Sequence, residues 1–187
     1  MAHVVVSRED YFDAAMRILA TEGAGKLKIA HLCRSLHVTT GSFYGYFGNL
    51  DGFVREFLAH WEYTSTLRVG SIVAVEPDPV LRVRALKKFA AEIPHDAEAA
   101  IRGWAHSNDT VQEFVDRVDQ ERQQMIVDSL SPVTGKERAE QLAIVGMTLL
   151  VGLQQWRRPV TTADYELVFS EFENLVLSDL PVSAPQA

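Results

Sequence analysis

The chain has 187 residues, 47% of them apolar, which is enough to bury a large core in one domain or in one domain with an appendage. A single cysteine, Cys33, excludes an intrachain disulfide, and the net charge of −7, taken as a sum, argues against nucleic acid. The most apolar run, Leu142 to Leu153, is well short of the roughly 20 residues that span a bilayer, and "MAHVVVSRED" lacks the features of a signal peptide, so a soluble cytoplasmic protein without membrane contact is expected.

The distribution of charge modifies that sum. Residues 1–60 hold six basic and six acidic side chains and four of the six histidines, so all of the negative balance sits in the remaining two-thirds. That asymmetry permits a nucleic-acid-facing N-terminal unit without requiring one.

In chain order, a 3.6-residue period dominates and β-type alternation is scarce. Ser7 is the expected N-cap of a first helix, with Tyr11, Ala14, Ala15, Ile18 and Leu19 on its apolar face and a stop at Gly23. A second helix carries Ile29, Leu32, Cys33 and Leu36 at helical spacing, and a third runs from about Thr40 to Phe47. A long helix is expected over Leu50–Val73, with Phe53, Phe57, Leu58, Trp61 and Leu67 inward. After a linker at "EPDP", helices are expected over about Asp78–Glu92, His95–Ser107 and Asp109–Leu130, the last capped by Asn108 or Asp109. "SPVTG" reads as a loop, Lys136–Trp156 and Thr162–Leu177 as the closing helices, and "PVSAPQA" as a frayed tail.

Two stretches ask for more than a core. Between Gln141 and Leu153 only Gln141 and Thr148 are polar, so the cylinder is apolar all round and needs a surface on both sides. The final helix repeats this with Tyr165, Val168, Phe169, Phe172 and Val176. A two-fold dimer built as a four-helix contact answers it, with Leu149, Leu153, Trp156, Phe169 and Phe172 as interface candidates; the alternative is the central helix of a monomer.

The second stretch is "HLCRSLHVTTGSFYGYF". Two helices joined by a short turn describe a helix-turn-helix, with Leu32, Leu36, Val38, Phe43 and Phe47 as its inner contacts. Thr40, Gly41, Tyr44 and Gly45 occupy an adjoining face, and each mid-helix glycine costs roughly 1 kcal/mol against alanine. Close approach of the helix backbone to a phosphodiester chain is one reason for such glycines. Thr39 or Thr40 caps the helix and leaves its positive end toward phosphate, Tyr44 can donate to a phosphate oxygen, and Ser42 can reach phosphates or base edges. The competing reading is a short surface helix of turn-loving residues.

The set "YFDAAMRILATEG", "IAHLCRSLHV", "TTGSFYGYF" and "GNLDGFV" resembles the DNA-binding domain of the TetR family of bacterial transcriptional regulators over about Ser7–Val54. The resemblance implies an all-α fold of about nine helices. Its N-terminal three-helix helix-turn-helix domain (1–50) would be followed by a helical ligand-binding and dimerisation domain (51–180) and a flexible tail (181–187). It implies a ligand-responsive regulator, more a repressor than an activator, that binds a palindromic double-stranded DNA operator as a homodimer. Lys28, Thr39, Thr40, Gly41, Ser42, Tyr44 and Tyr46 are the DNA-binding candidates. Phe57, Trp61, Phe89 and Trp104 are candidates for lining a pocket for a small-molecule effector, because aromatic walls suit apolar ligands.

Three positions depart from the family pattern. His37 stands where the turn usually has glycine, Tyr46 where histidine commonly precedes the last aromatic, and Leu50 where a phosphate-binding lysine usually opens the fourth helix. Lys28, at the start of the second helix, offers a compensating cation. The rival expectation is therefore a sensor or adaptor of the same fold with weak or lost DNA binding. A helical enzyme with an apolar pocket is a further rival, but no nucleophile elbow, phosphate loop, dinucleotide fingerprint or "HExxH" is present, and neither a metal nor a cofactor is expected. Cys33 is expected to be a buried structural thiol.

Overall fold

The computed structural model describes residues 6–67 and 76–179. Among them every regular element is helical: α1 (Arg8–Glu22), α2 (Ile29–Ser35), α3 (Thr40–Phe47), α4 (Leu50–Glu62), α5 (Pro79–Ala91), α6 (His95–Ala105), α7 (Asp109–Thr134), α8 (Lys136–Trp156) and α9 (Thr162–Ser178). A 3-10 turn at Ala24–Lys26 and a π turn at Tyr63–Leu67 complete the list of elements. Packing divides the chain into two compact units, one of residues 1–64 and 94–117 and the other of residues 65–93 and 118–187.

In the first unit, α1 starts with a reciprocal cap. The Asp10 amide donates to Ser7 Oγ at 3.2 Å, and the Ser7 amide donates to Asp10 Oδ2 at 2.7 Å. The Ser7 amide, together with the Ser7 hydroxyl that donates to the same Oδ2 at 3.0 Å, holds the exposed Asp10 carboxyl below its ordinary pKa. Gly23 ends the helix at φ 80°, a conformation closed to most side chains. The core between α1, α3 and α4 is a packed set of aromatic rings. Tyr11 stands edge-on to Phe43 at 5.7 Å and to Phe47 at 5.3 Å, while Phe53 stacks on Phe57 at 6.0 Å. The small buried residues of α6, Ala97, Ala99 and Ala105, allow that helix to lie close on α1. The fully buried Glu98 accepts the indole N–H of Trp61 at 3.1 Å.

The second unit has two apolar clusters. One joins Val83 of α5, Val127 and Leu130 of α7, Leu142 and Ala143 of α8, and Val176 of α9. The other joins Leu150 and Leu153 of α8 to Tyr165 and Phe169 of α9. Tyr165 lies stacked on Phe169 at 4.5 Å and donates its hydroxyl to the Lys87 carbonyl, and its burial pushes the phenol pKa well up. Gly146 lets the Phe172 ring lie directly on the α8 backbone: a Cβ there would come within 2.9 Å of the ring.

Two boundaries differ from expectation. The helix expected over Leu50–Val73 keeps α-helical bonding only to Glu62 and then widens into the π turn, where Thr64 Oγ1 donates to the carbonyls of His60 and Trp61. A run of hydroxyl residues, "TST", competes there for main-chain acceptors; residues 68–73 of that expectation lie outside the described residues, as does the tail. The loop expected at "SPVTG" is helical as far as Thr134, with Pro132 in the last turn of α7 and the break confined to Gly135 at φ 79°. A proline near a helix end removes only one amide bond, and the carbonyl it leaves, that of Asp128, belongs to an exposed residue that water can reach.

Candidate nucleic-acid interface

α2 and α3 are joined by the turn Leu36–Thr39. His37 takes the left-handed conformation there, at φ 56°, and two bonds hold the turn: the His37 amide donates to the Arg34 carbonyl and the Val38 amide to the Cys33 carbonyl. The turn geometry that usually selects glycine is therefore kept with histidine, at the cost of local strain. On the inner side Leu32, Cys33, Phe43 and Phe47 are buried. Burial raises the Cys33 thiol pKa, so the group stays protonated and unreactive.

The outer side of α3 is open. Thr39, Thr40, Gly41, Tyr44 and Gly45 are all exposed, with Tyr44 at 52%. A Cβ built on Gly45 meets nothing within 4 Å, and one on Gly41 meets only Thr39 Oγ1 at an ordinary 3.6 Å. Neither glycine is required by packing inside this chain, and neither has a positive φ. Thr39 occupies the N-cap position in extended conformation, but its hydroxyl makes no capping bond. The first turn of α3 therefore has no side-chain cap, although the Ser42 amide donates to the Thr39 carbonyl at 3.1 Å. Lys28 sits likewise at the N-cap position of α2 without a capping bond, its side chain exposed, and Arg34 is exposed at the other end of α2.

Two candidates also have partners within the chain. Ser42 is half-buried and its Oγ accepts the Tyr11 hydroxyl at 3.1 Å. Tyr46 is half-buried and donates its hydroxyl to the Val6 carbonyl at 2.7 Å. Leu50 is half-buried at the first position of α4, which Asn49 caps by accepting the Gly52 amide at 2.8 Å.

The pocket candidates fall in different places. Phe57 and Trp61 are buried in the first unit's own core, because the ring stack and the Trp61–Glu98 bond already use their surfaces. Trp104 is half-buried in that unit, and Phe89 is half-buried in the second.

Among the interface candidates, Leu153 and Phe169 are also spent on an internal cluster; Leu149 and Phe172 are half-buried, and Trp156 is 73% exposed. The outer stripe of α8 is instead Gln141, Ile144, Val145, Thr148, Gly152, Gln155 and Trp156, all exposed and none charged. On α9, Leu167 and Leu175 are exposed. Stepping three, four and seven residues from Gln141 finds this stripe in the sequence; what periodicity lacks is which side the rest of the chain covers.

Among the described residues no helix is long and apolar enough to cross a membrane, and no cluster of three or more His, Cys, Asp or Glu could hold a metal ion.

An all-helical chain with a helix-turn-helix near its N-terminus and an open second helix has the class architecture of a transcriptional regulator. Residues 12–57 match the model for bacterial regulatory proteins of the tetR family. The matched stretch is the N-terminal helix-turn-helix domain of that family's model, set within an all-helical fold like that of TetR-family structures. No curated protein sequence matches the chain. Among solved structures, a transcriptional regulator from Rhodococcus sp. Rha1 shares 17% identity over 96% of this chain and 100% of its own, with a TM-score of 0.77. A TetR-family regulator from Rhodococcus sp. shares 15% over 91% of this chain and 98% of its own, with a TM-score of 0.74. A protein from Saccharomonospora viridis, described as a transcriptional regulator and solved in complex with choline, shares 14% over 92% of this chain and 96% of its own, with a TM-score of 0.75. At these identities the likeness is one of fold.

Proposed function

We propose that this protein is a cytoplasmic, ligand-responsive regulator that binds a palindromic DNA operator as a homodimer and represses transcription. The observation that carries the reading is the pair of exposed glycines, Gly41 and Gly45, beside Thr39, Thr40 and Tyr44. Among the described residues no neighbour accounts for these glycines, and a helix backbone pressed against a duplex does. Lys28 and Arg34 are exposed cations at the two ends of the adjoining α2. The role of DNA reading belongs to residues 1–50, and those of effector binding and pairing to 51–180. The uncharged stripe of α8, with Leu167 and Leu175 of α9, is the surface that pairs two subunits, so that two copies of α3 meet successive major grooves. Trp104 and Phe89 remain the better-placed pocket candidates, since both are half-buried where Phe57 and Trp61 are buried.

Leu50 favours a second reading, a sensor or adaptor with lost DNA binding, because a half-buried leucine cannot meet a phosphate. Selection of duplexes from a random library by the wild-type protein separates the two. A regulator enriches a palindrome, and Tyr44→Ala then binds both the selected and a scrambled duplex several-fold more weakly, with an unchanged salt slope because the phenol carries no charge. Enrichment of nothing, or equal binding by the variant, refutes the assignment.

A further inference from the structure

Arg8, the first residue of α1, makes a set of contacts that the DNA-facing residues do not explain. Its guanidinium donates from Nη2 to the Tyr46 carbonyl at 2.9 Å and from Nη1 to the Glu56 carboxylate on α4. The same guanidinium lies over the Tyr46 ring at 5.6 Å and the Phe47 ring at 5.3 Å. Tyr46 in turn donates its hydroxyl to the Val6 carbonyl, two residues before Arg8. One side chain thus joins the start of α1, the last turn of α3 and the middle of α4.

The contacts land where α3 is weakest. It has eight residues and contains Gly41 and Gly45; it ends at Gly48, at φ 71°, where the Gly48 amide donates to the Tyr44 carbonyl and the Asn49 amide to the Phe47 carbonyl, leaving that of Tyr46 to Arg8. A short helix with two glycines is marginal by itself and takes its order from tertiary contacts. The Tyr46 carbonyl is among the last four of the helix, which have no intrahelical donor, and a cation near that end also suits the helix dipole.

We infer that Arg8 is a positioning residue for DNA recognition: its fork between Tyr46 and Glu56 fixes the C-terminal end of α3, and so the angle at which the Gly41–Tyr44–Gly45 face meets a duplex. The inference rests on the DNA-binding reading above. A planar fork is needed, since only a guanidinium serves the carbonyl, the carboxylate and the ring faces together; lysine keeps the charge and cannot make that set.

The test is Arg8→Lys, with Glu56→Gln as an independent break of the same fork, in the full-length protein. Affinity is measured for a duplex selected by the wild-type protein and for a scrambled duplex, across a salt series, with amide exchange of Gly45–Asn49 read without DNA. In both variants the expected result is a roughly five- to tenfold loss for the selected duplex alone, an unchanged salt slope, and faster exchange in Gly45–Asn49. A merely structural role lowers both affinities together with the folded fraction and overturns the inference. A direct phosphate contact overturns it too, by weakening both duplexes at Glu56-independent cost. Discrimination left intact in Arg8→Lys overturns it alone; a wild-type protein that discriminates between no duplexes removes the DNA-binding reading and the inference together.

Discussion

Replacing Gly45 by alanine separates a glycine kept for packing from one kept for an outside surface. Gly45 lies within α3, is exposed, and has no heavy atom within 4 Å of the position its Cβ would take. The folded protein therefore meets no clash, and the gain is the helix-propensity difference of about 0.5–1 kcal/mol. For a chain of this size that is a rise in melting temperature of about 1–4 °C, or a matching shift of a urea midpoint at constant slope. Against a duplex the sign reverses. A Cβ standing about 1.5 Å off the backbone holds the helix away from the phosphates and lengthens several charge-assisted bonds at once, a loss of about tenfold or more in affinity. Gly103 in α6 is the control, because it too is a helical, exposed glycine with nothing within 4 Å. Gly103→Ala gives the same stabilisation with unchanged DNA affinity. A Gly45→Ala protein that is stabilised yet binds as well as wild type refutes the close-approach argument, and one that is destabilised refutes the open surroundings of Gly45.

Leu50→Lys restores a cation at the first position of α4; operator affinity rises at low salt and the salt slope steepens by about 0.9, read by fluorescence anisotropy, while an unchanged slope means that position meets no phosphate. Val145→Asp places a charge in the uncharged stripe of α8, where Val145 is 38% exposed and so costs the monomer little; sedimentation shows a monomer, and an unchanged mass rules out that stripe as the contact. Asp10 and Asp164 both sit in reciprocal caps, with Ser7 and Thr161 as the partners that lower their pKa values from 3.8. A depressed folded-state pKa stabilises above the unfolded value and is lost as pH falls through the folded one. Unfolding midpoints are therefore insensitive to these groups from pH 7 to 5 and decline below about 4; Asp10→Asn together with Asp164→Asn lowers the neutral-pH midpoint and flattens that acid limb, and an unaltered limb contradicts the assignment.

Local rules wrote much of the fold into the sequence. The cap at Ser7, the stop at Gly23, and the shared face of Phe43 and Phe47 depend on residues within a few positions of one another, so spacing alone located them. The two glycines of α3 were visible for the same reason: a glycine in a helical pattern breaks a local preference, and that break is legible without a partner.

Tertiary packing decided what each face meets. Periodicity placed Leu153 and Phe169 on apolar faces, but only the fold shows them consumed by an internal cluster while Ile144 and Leu167 stay outside. Ser42 and Tyr46 carry the right groups for a phosphate, yet Tyr11 and Val6, 31 and 40 residues away in sequence, hold their hydroxyls. Arg8 reaches Glu56 across 48 residues, a pairing without sequence signal because a long flexible side chain finds its acceptors only after the helices have docked. Hydrophobic period is a property of one helix; which flank is left to the world outside is a property of all its neighbours.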